Sequence, residues 1–339
     1  MKELDRTFII AEAGVNHNGS IETAAKLVTE AKRAGADCIK FQSFKAKNLL
    51  TRAATKAEYQ KRTTSADESQ YEMIKRLELS EADHRVLIDR CRECGIEFLS
   101  SPFDEESADL LEKLGVARFK IPSGEITNLP FLKFLAVKQK PIILSTGMCT
   151  LGEVEEAVDA IRSAGNDRIT LLHCVTEYPA PFDQINLRAV ATLSRAFKLP
   201  VGYSDHTAGT EIPVAAVALG ARIIEKHFTL DKNMEGPDHR ASLEPHELKQ
   251  MIESIRNVEA SLGSGIKKPA ACETQNRAVA RKSLVAVRPI KKGSRLAAAD
   301  IAIKRPGHGI QPKDFEKVIG LEVNRDLQAD DVITWDAFK

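Results

Sequence analysis

The chain has almost no net charge. Across 339 residues, 49 lysines and arginines stand against 48 aspartates and glutamates, a formal charge of +1. Such a balance creates no general field for nucleic acid or an anionic membrane, so any anion the protein binds must be held locally. Cysteine is scarce as well. Six thiols (Cys38, Cys91, Cys94, Cys149, Cys174 and Cys272) are scattered along the chain, which suits reduced cysteines better than a disulfide framework. Cys91 and Cys94 form a CxxC in DRCRECG, but that segment reads as a helix and has no second pair with which to enclose zinc. No window of about 18 apolar residues is present, and MKELDRTFII lacks the apolar stretch of a secretory signal. A soluble, cytoplasmic protein without nucleic-acid or membrane partners is expected.

What is present is an alternation. Eight short apolar runs, FIIAEAG (8–14), DCIKFQS (37–43), EFLSSPF (97–103), RFKIPSG (118–124), PIILSTG (141–147), ITLLHCV (169–175), PVGYSDH (200–206) and RIIEKHF (222–228), read as strands. Between them lie amphipathic segments such as IETAAKLVTEAKRAG and LGEVEEAVDAIRSAG, whose apolar residues recur every three or four positions and which end on Gly35 and Gly165. Strand and helix in alternation imply right-handed crossovers and a parallel sheet. Eight such units in this length predict an α/β fold, a (β/α)8 TIM barrel. A doubly wound open sheet is the rival, but AEAGVNHNG carries no GxGxxG where such a fold places its nucleotide loop.

Polar side chains cluster at the ends of these runs. Glu12 and Asn16 to Asn18 follow the first, Lys40 and Gln42 close the second, and Ser100 and Ser101 lie in the third. Lys120, Ser123 and Glu125 end the fourth and Ser145 and Thr146 the fifth; His173, Ser204, Asp205, His206, Glu225, Lys226 and His227 complete the set. Any one of them could be a satisfied loop residue. The same pattern on eight strands points instead to a shared site, because barrel active sites form at the C-terminal strand ends.

His206 and His227, on neighbouring strands, can reach a common divalent cation with positions left open, an arrangement suited to Mn²⁺ acting as a Lewis acid on a carbonyl. His84 reads as a helix-face residue, and His239 and His246 as solvated. Lys40 and Lys120 need anionic partners to offset burial; phosphate or carboxylate is the natural ligand, with Ser101, Ser123, Ser145 and Thr146 as further donors. A Schiff-base lysine is the alternative.

The tail reads as a separate small unit. Gly, Ser, Lys and Pro at 263–269 open a linker, and the expected division is 1–265 for the barrel, 266–282 for the linker and 283–339 for the tail, which carries RPGHGI at 305–310.

The order AEAGVNHNG, KFQSFKA, SSPFD, FKIPSGE, LSTGM, HCVTEYPAP, GYSDHT, IEKHFTLD, GPDH and KRPGHGI resembles the bacterial sialic acid (nonulosonic acid) synthases over nearly the whole chain. The resemblance implies a TIM barrel followed by a small antifreeze-like (SAF) domain. It also implies a homodimer in which that domain reaches over the partner's barrel. The implied reaction joins phosphoenolpyruvate to an open-chain N-acetylated aminohexose with a divalent metal, Mn²⁺ or else Mg²⁺ or Co²⁺, and releases phosphate. Position by position, the metal ligands fall on His206 and His227, and phosphoenolpyruvate contacts on Lys40, Ser101, Lys120, Ser123, Ser145 and Ser204, with Gln42 counted among the substrate-binding residues. Glu12, Tyr178 and Asp238 match positions near the sugar, Glu125 a carboxylate beside the reacting carbons, and Arg305 an arginine that the partner's tail contributes. Ser101 stands where threonine is usual and Thr176 where some relatives have asparagine. TTSADESQ, SGEITNLP and HCVTEYPAP look closest to the N,N'-diacetyllegionaminate branch, with an N-acetylmannosamine acceptor as the alternative. Synthases that use phosphorylated aldoses, and a non-catalytic ice-binding or storage role, are the other readings.

Overall fold

The computed structural model describes residues 6–56, 64 and 68–338. Of TTSADESQ, Thr63 and Ser65 to Asp67 lie outside the described residues, as do the first five residues of MKELDRTFII. Eight strands, β1 (Phe8–Gly14), β2 (Cys38–Ser43), β3 (Glu97–Pro102), β4 (Phe119–Ile121), β5 (Ile142–Ser145), β6 (Ile169–Cys174), β7 (Val201–Asp205) and β8 (Ile223–His227), pair in parallel in the order β3-β2-β1-β8-β7-β6-β5-β4. β3 and β4, the two ends of that order, pack against each other, so the sheet wraps into a nearly closed barrel. β4 is shorter than its sequence suggests. Pro122 has no N–H to give the ladder, and the chain turns into a 3-10 segment at Ser123–Glu125.

Local chemistry sets the helix ends. The Ser20 hydroxyl accepts from the Thr23 amide ahead of Ile21–Ala34, and Gly35 closes that helix in the left-handed region at φ 95°. Thr150 and Glu153 cap Leu151–Ser163 reciprocally.

The period of two along each strand sorts the side chains. Ile10, Cys38, Leu99, Ile143, Leu172 and Ile223 form one apolar cluster, a plug filling the barrel below the mouth. Their sequence neighbours, such as Ile9, Ala11, Ile39, Phe98, Ile142, Leu144, Leu171 and Ile224, belong to the larger core beneath the helices. Two residues further along each strand, the inward series turns polar. Gly202 is required where β7 passes this layer: a Cβ there would lie 2.4 Å from the Ile223 carbonyl oxygen and 2.6 Å from Leu172 Cδ2.

Cys91 faces the core of helix Glu81–Cys94, and burial pushes its thiol up to about 12. Cys94 is half-buried and both are free thiols. His84, on the same helix, is buried and lies 2.6 Å from Ser43 Oγ. His246 is exposed. His239 departs from its expected solvation: it is fully buried, with Nδ1 2.6 Å from Thr229 Oγ1 and Nε2 3.3 Å from Asn18 Oδ1. The loop that looked polar in sequence folds back onto the end of β1.

The chain divides into two compact units, Met1–Gly263 and Ser264–Lys339. Within the second, β9 (Ser283–Ala286) and β10 (Ile301–Lys304) pair antiparallel over a core that includes Leu284, Val318, Leu327 and Ile333. The segment expected to be linker carries a short exposed helix, Thr274–Ala280.

Burial also holds two imidazoles neutral. Desolvation lowers His17 and His239 from 6.5 to about 4. A histidine whose folded value lies below its unfolded one contributes its full stability above about 6.5 and loses it as pH falls towards 4, because the unfolded chain takes up the proton first. Chemical denaturation of wild type and His17→Asn across pH 7 to 4 should therefore show the stability difference shrinking or reversing in that window, by up to about 3 kcal/mol. A pH-independent difference would refute this.

Candidate active site

The polar layer of the barrel opens into a cavity of about 290 Å³. Its walls include Glu12, Lys40, Gln42, Ser101, Lys120, Ser123, Ser145, Tyr178, Ser204, His206, His227 and Asp238. These come from every strand or from the loop that follows it, so the side chains meet only because the sheet closes. Of the barrel residues to which the resemblance gives a role, one is not brought there. Glu125 sits half-buried on the 3-10 turn after β4, where its Oε2 accepts from Asn128 Nδ2 at 2.8 Å, and it does not line the cavity. Arg305 belongs to the second unit and is exposed.

Glu225 is the residue whose position sequence reading undervalued. Its Oε1 lies 3.3 Å from Lys120 Nζ and accepts from Ser204 Oγ at 2.8 Å, and its Oε2 is 3.7 Å from Lys40 Nζ. Lys40 also pairs with Glu12 at 2.5 Å and donates to Ser101 Oγ at 3.2 Å. Burial opposes the charge on Glu225, but the two lysines and Ser204 outweigh it and hold the carboxyl down at about 2. Glu12 goes the other way. Burial, reinforced by the negative charge of Glu225, raises it to about 7. The two lysines thus share the cavity with Glu225, held as a carboxylate, with Glu12, partly protonated near neutral pH, and with Asp238, which burial raises to about 6. Buried lysines whose acidic neighbours are in part neutralised give an anion a local hold in a chain of nearly zero net charge. Burial lowers Lys120 despite Glu225 beside it, so an incoming anion would favour its charged form. Among the described residues, the Ser145 hydroxyl, buried in the cavity wall, has no hydrogen-bond partner, a donor held ready for a ligand.

The same alternation identifies what faces away. Lys226, between Glu225 and His227, points behind the barrel, where it pairs with Asp205 at 2.5 Å and donates to the Thr207 carbonyl. Asp205 also accepts from Tyr203 Oη and Thr207 Oγ1. His173 lies 2.7 Å from the Ile185 carbonyl and packs on Tyr203; Thr146 donates to the Leu172 carbonyl, Ser100 bonds Ser43, and Asn16 donates to the Phe228 carbonyl and to Ser242. These strand-end residues were expected at the mouth and instead serve as struts. Counting by twos from Ile223 would have separated Glu225 and His227 from Lys226. The same count places Cys174, rather than His173, in the cavity.

His206 and His227 sit with ring centroids 5.3 Å apart, and Tyr178 packs on both. The Nδ1 of His206 meets the Val175 carbonyl at 2.6 Å, which leaves Nε2 for a ligand. Burial, with His206 and Lys40 nearby, lowers His227 well below its ordinary value, and its buried Nδ1, 3.8 Å from Asp238 Oδ2, has no hydrogen-bond partner among the described residues. Two imidazoles, one fixed in orientation and one held neutral, fit a divalent cation. Among the described residues, no group of three or more His, Cys, Asp or Glu side chains is arranged to hold one, so such an ion would draw its remaining ligands from substrate or water.

Comparison with known proteins agrees with this architecture. Residues 27–267 match the model of the NeuB family and residues 281–339 that of the SAF domain. The chain belongs to the NeuB family. It is 54% identical over 332 residues to the N,N'-diacetyllegionaminic acid synthase of Campylobacter jejuni, covering 97% of this chain and 99% of that relative. It is 49% identical to the Legionella pneumophila enzyme of the same name, covering 97% and 94%. The crystal structure of N-acetylneuraminic acid synthetase from Leptospira borgpetersenii, in complex with citrate, superposes with a TM-score of 0.71 at 34% identity, over 80% of this chain and 90% of that one. The match over residues 281–339 bears out the antifreeze-like (SAF) type that the resemblance implied for the tail.

Proposed function

We propose the following reading of this NeuB-family cavity. The chain is a phosphoenolpyruvate-dependent nonulosonic acid synthase, a transferase that forms a carbon–carbon bond, and its acceptor is 2,4-diacetamido-2,4,6-trideoxymannose. One observation carries it: two buried lysines share Glu225 at the base of a cavity whose outer wall presents a histidine pair. An anionic donor and a carbonyl acceptor would thus be held side by side.

Phosphoenolpyruvate enters with its phosphate and carboxylate on Lys40 and Lys120, drawing further hydrogen bonds from Ser145 and its neighbours Ser101, Ser123 and Ser204. Its C3 attacks the aldehyde carbon of the open-chain sugar, and positive charge develops at C2 as the bond forms. Glu225 lies against both lysines and stabilises that charge. Water adds at C2, and the tetrahedral adduct loses phosphate by carbon–oxygen cleavage to give the 2-keto acid. Glu12, raised to about 7, is placed to exchange the proton that the aldehyde oxygen gains or the water loses. His206 and His227 would hold a divalent metal, Mn²⁺ first among candidates, which would supply Lewis acidity to the aldehyde. Gln42, Tyr178 and Asp238 line the sugar side. The homodimer, with Arg305 of the tail completing the partner's site, belongs to the same proposal, as does a cytoplasmic location; no helix is long and apolar enough to cross a membrane among the described residues.

The test is a phosphate-release assay with phosphoenolpyruvate and the diacetamido sugar or N-acetylmannosamine, with the product mass confirmed. Release with arabinose 5-phosphate or erythrose 4-phosphate instead would refute the reading. The two glutamates give a sharper contrast. Glu225→Gln should lower kcat by about 10² to 10³, the scale of losing a charged group at the reacting centre, whereas Glu125→Gln should change kcat/KM no more than a few-fold. The reverse order would show that Glu125 moves into the cavity when substrate binds.

A further inference from the structure

The cavity is graded from base to rim. Lys40, Lys120, Ser101, Ser145 and Glu225, at its base, lie within the strands or at their last position; beyond the strand ends the lining is mixed, with Ser123, Tyr178, His206 and Asp238 on some sides and apolar side chains on another. On one side of the rim, Val15 follows β1, Phe103 follows β3, and Ile74 projects from helix Gln70–Arg76. These three are not isolated exposures. They share one apolar cluster with Phe44, Met73 and Leu77, behind the rim, and Phe44 and Phe103 meet edge to face with centroids 6.1 Å apart. Val15 is buried, and Ile74 and Phe103 are half-buried, so the wall is built from behind and open to the cavity in front.

We propose that Val15, Ile74 and Phe103 form an apolar subsite that selects an acceptor whose terminal carbon is a methyl rather than a hydroxymethyl group. The inference rests on the synthase reading above and deepens it. With the anionic donor fixed at the base and the aldehyde carbon against it, the sugar's remote carbons extend outward to the rim. A methyl group there buries apolar surface against aliphatic and aromatic carbon. A hydroxymethyl group in the same place loses water and meets no donor or acceptor among these three side chains. Apolar walls reject an added hydroxyl only moderately, so the expected preference is about tenfold to a hundredfold in kcat/KM.

The experiment compares two acceptors that differ only at the terminal carbon, N-acetylmannosamine and its 6-deoxy analogue, by phosphate release from phosphoenolpyruvate. The 2,4-diacetamido sugar serves as the reference for turnover. Wild type should favour the 6-deoxy sugar by at least about tenfold, and Ile74→Asn should reduce that ratio to within about threefold while the thermal midpoint stays close to wild type. Val15→Thr, which keeps side-chain shape and adds one hydroxyl, should shift the ratio in the same direction and guards against misfolding of the helix variant. Equal kcat/KM for the two sugars in wild type, or a ratio unchanged in both variants, overturns the subsite while leaving the synthase reading intact. Absence of phosphate release with all three sugars refutes the synthase reading itself, and the subsite with it.

Discussion

Lys120→Met should reduce phosphate release by at least about a thousandfold while the barrel remains folded. The methionine replaces the lysine's stem with a chain of similar length inside a packed mouth, so volume is conserved and the apolar plug below is untouched. What disappears is one of the two cations on Glu225. Phosphoenolpyruvate then meets a carboxylate neutralised by Lys40 alone, and Lys40 is already shared with Glu12. Binding and stabilisation of the departing phosphate both weaken. Losing one oriented donor at a reacting centre costs about 10² to 10³, and losing a full charge in a buried site costs at least as much. Lys40→Met should be similarly severe, but with a larger share of the loss in KM, because Glu12 is also released. Near-normal turnover by Lys120→Met, with unchanged circular dichroism, would remove the lysine pair from the chemistry and with it the proposed donor site.

Removing divalent metal should also abolish turnover. Excess chelator should bring phosphate release to background, and Mn²⁺ added back should restore it. His206→Gln and His227→Gln should each bind Mn²⁺ at least tenfold more weakly in a direct titration, the scale of losing one of two protein ligands, with little change in thermal midpoint without metal. His227→Gln should keep less residual affinity than a variant at Asp238, whose Oδ2 stands 3.8 Å from the imidazole. Full activity in chelator would overturn the metal role; tight Mn²⁺ binding by both histidine variants would place the ion elsewhere.

Much of the architecture was legible before any coordinates. Eight apolar runs separated by amphipathic segments leave few topologies once crossovers are right-handed, and the strand boundaries moved by no more than two residues except at β4, which stops at Ile121. Pro122 explains that difference, since it breaks the ladder where alternation alone would continue it. The site was legible as a set of strand-end residues, but not fully as a set of directions. Lys226 and His173 sat beside the right neighbours in sequence, yet their side chains point behind the barrel into ion pairs and carbonyl bonds. Glu125 matched its motif, but the backbone turns it towards Asn128.

The sequence by itself determined the alternation of strands and helices, the residues gathered at strand ends, and the separate tail. These depend on local periodicity and on short motifs, which a linear chain carries in full. Only the tertiary structure decided that Glu225 bridges Lys40 and Lys120, that Glu12 is held near 7 and that His239 is buried. Each of those facts depends on groups far apart in sequence meeting within a few ångströms where they are buried, so that distance and desolvation set the charges.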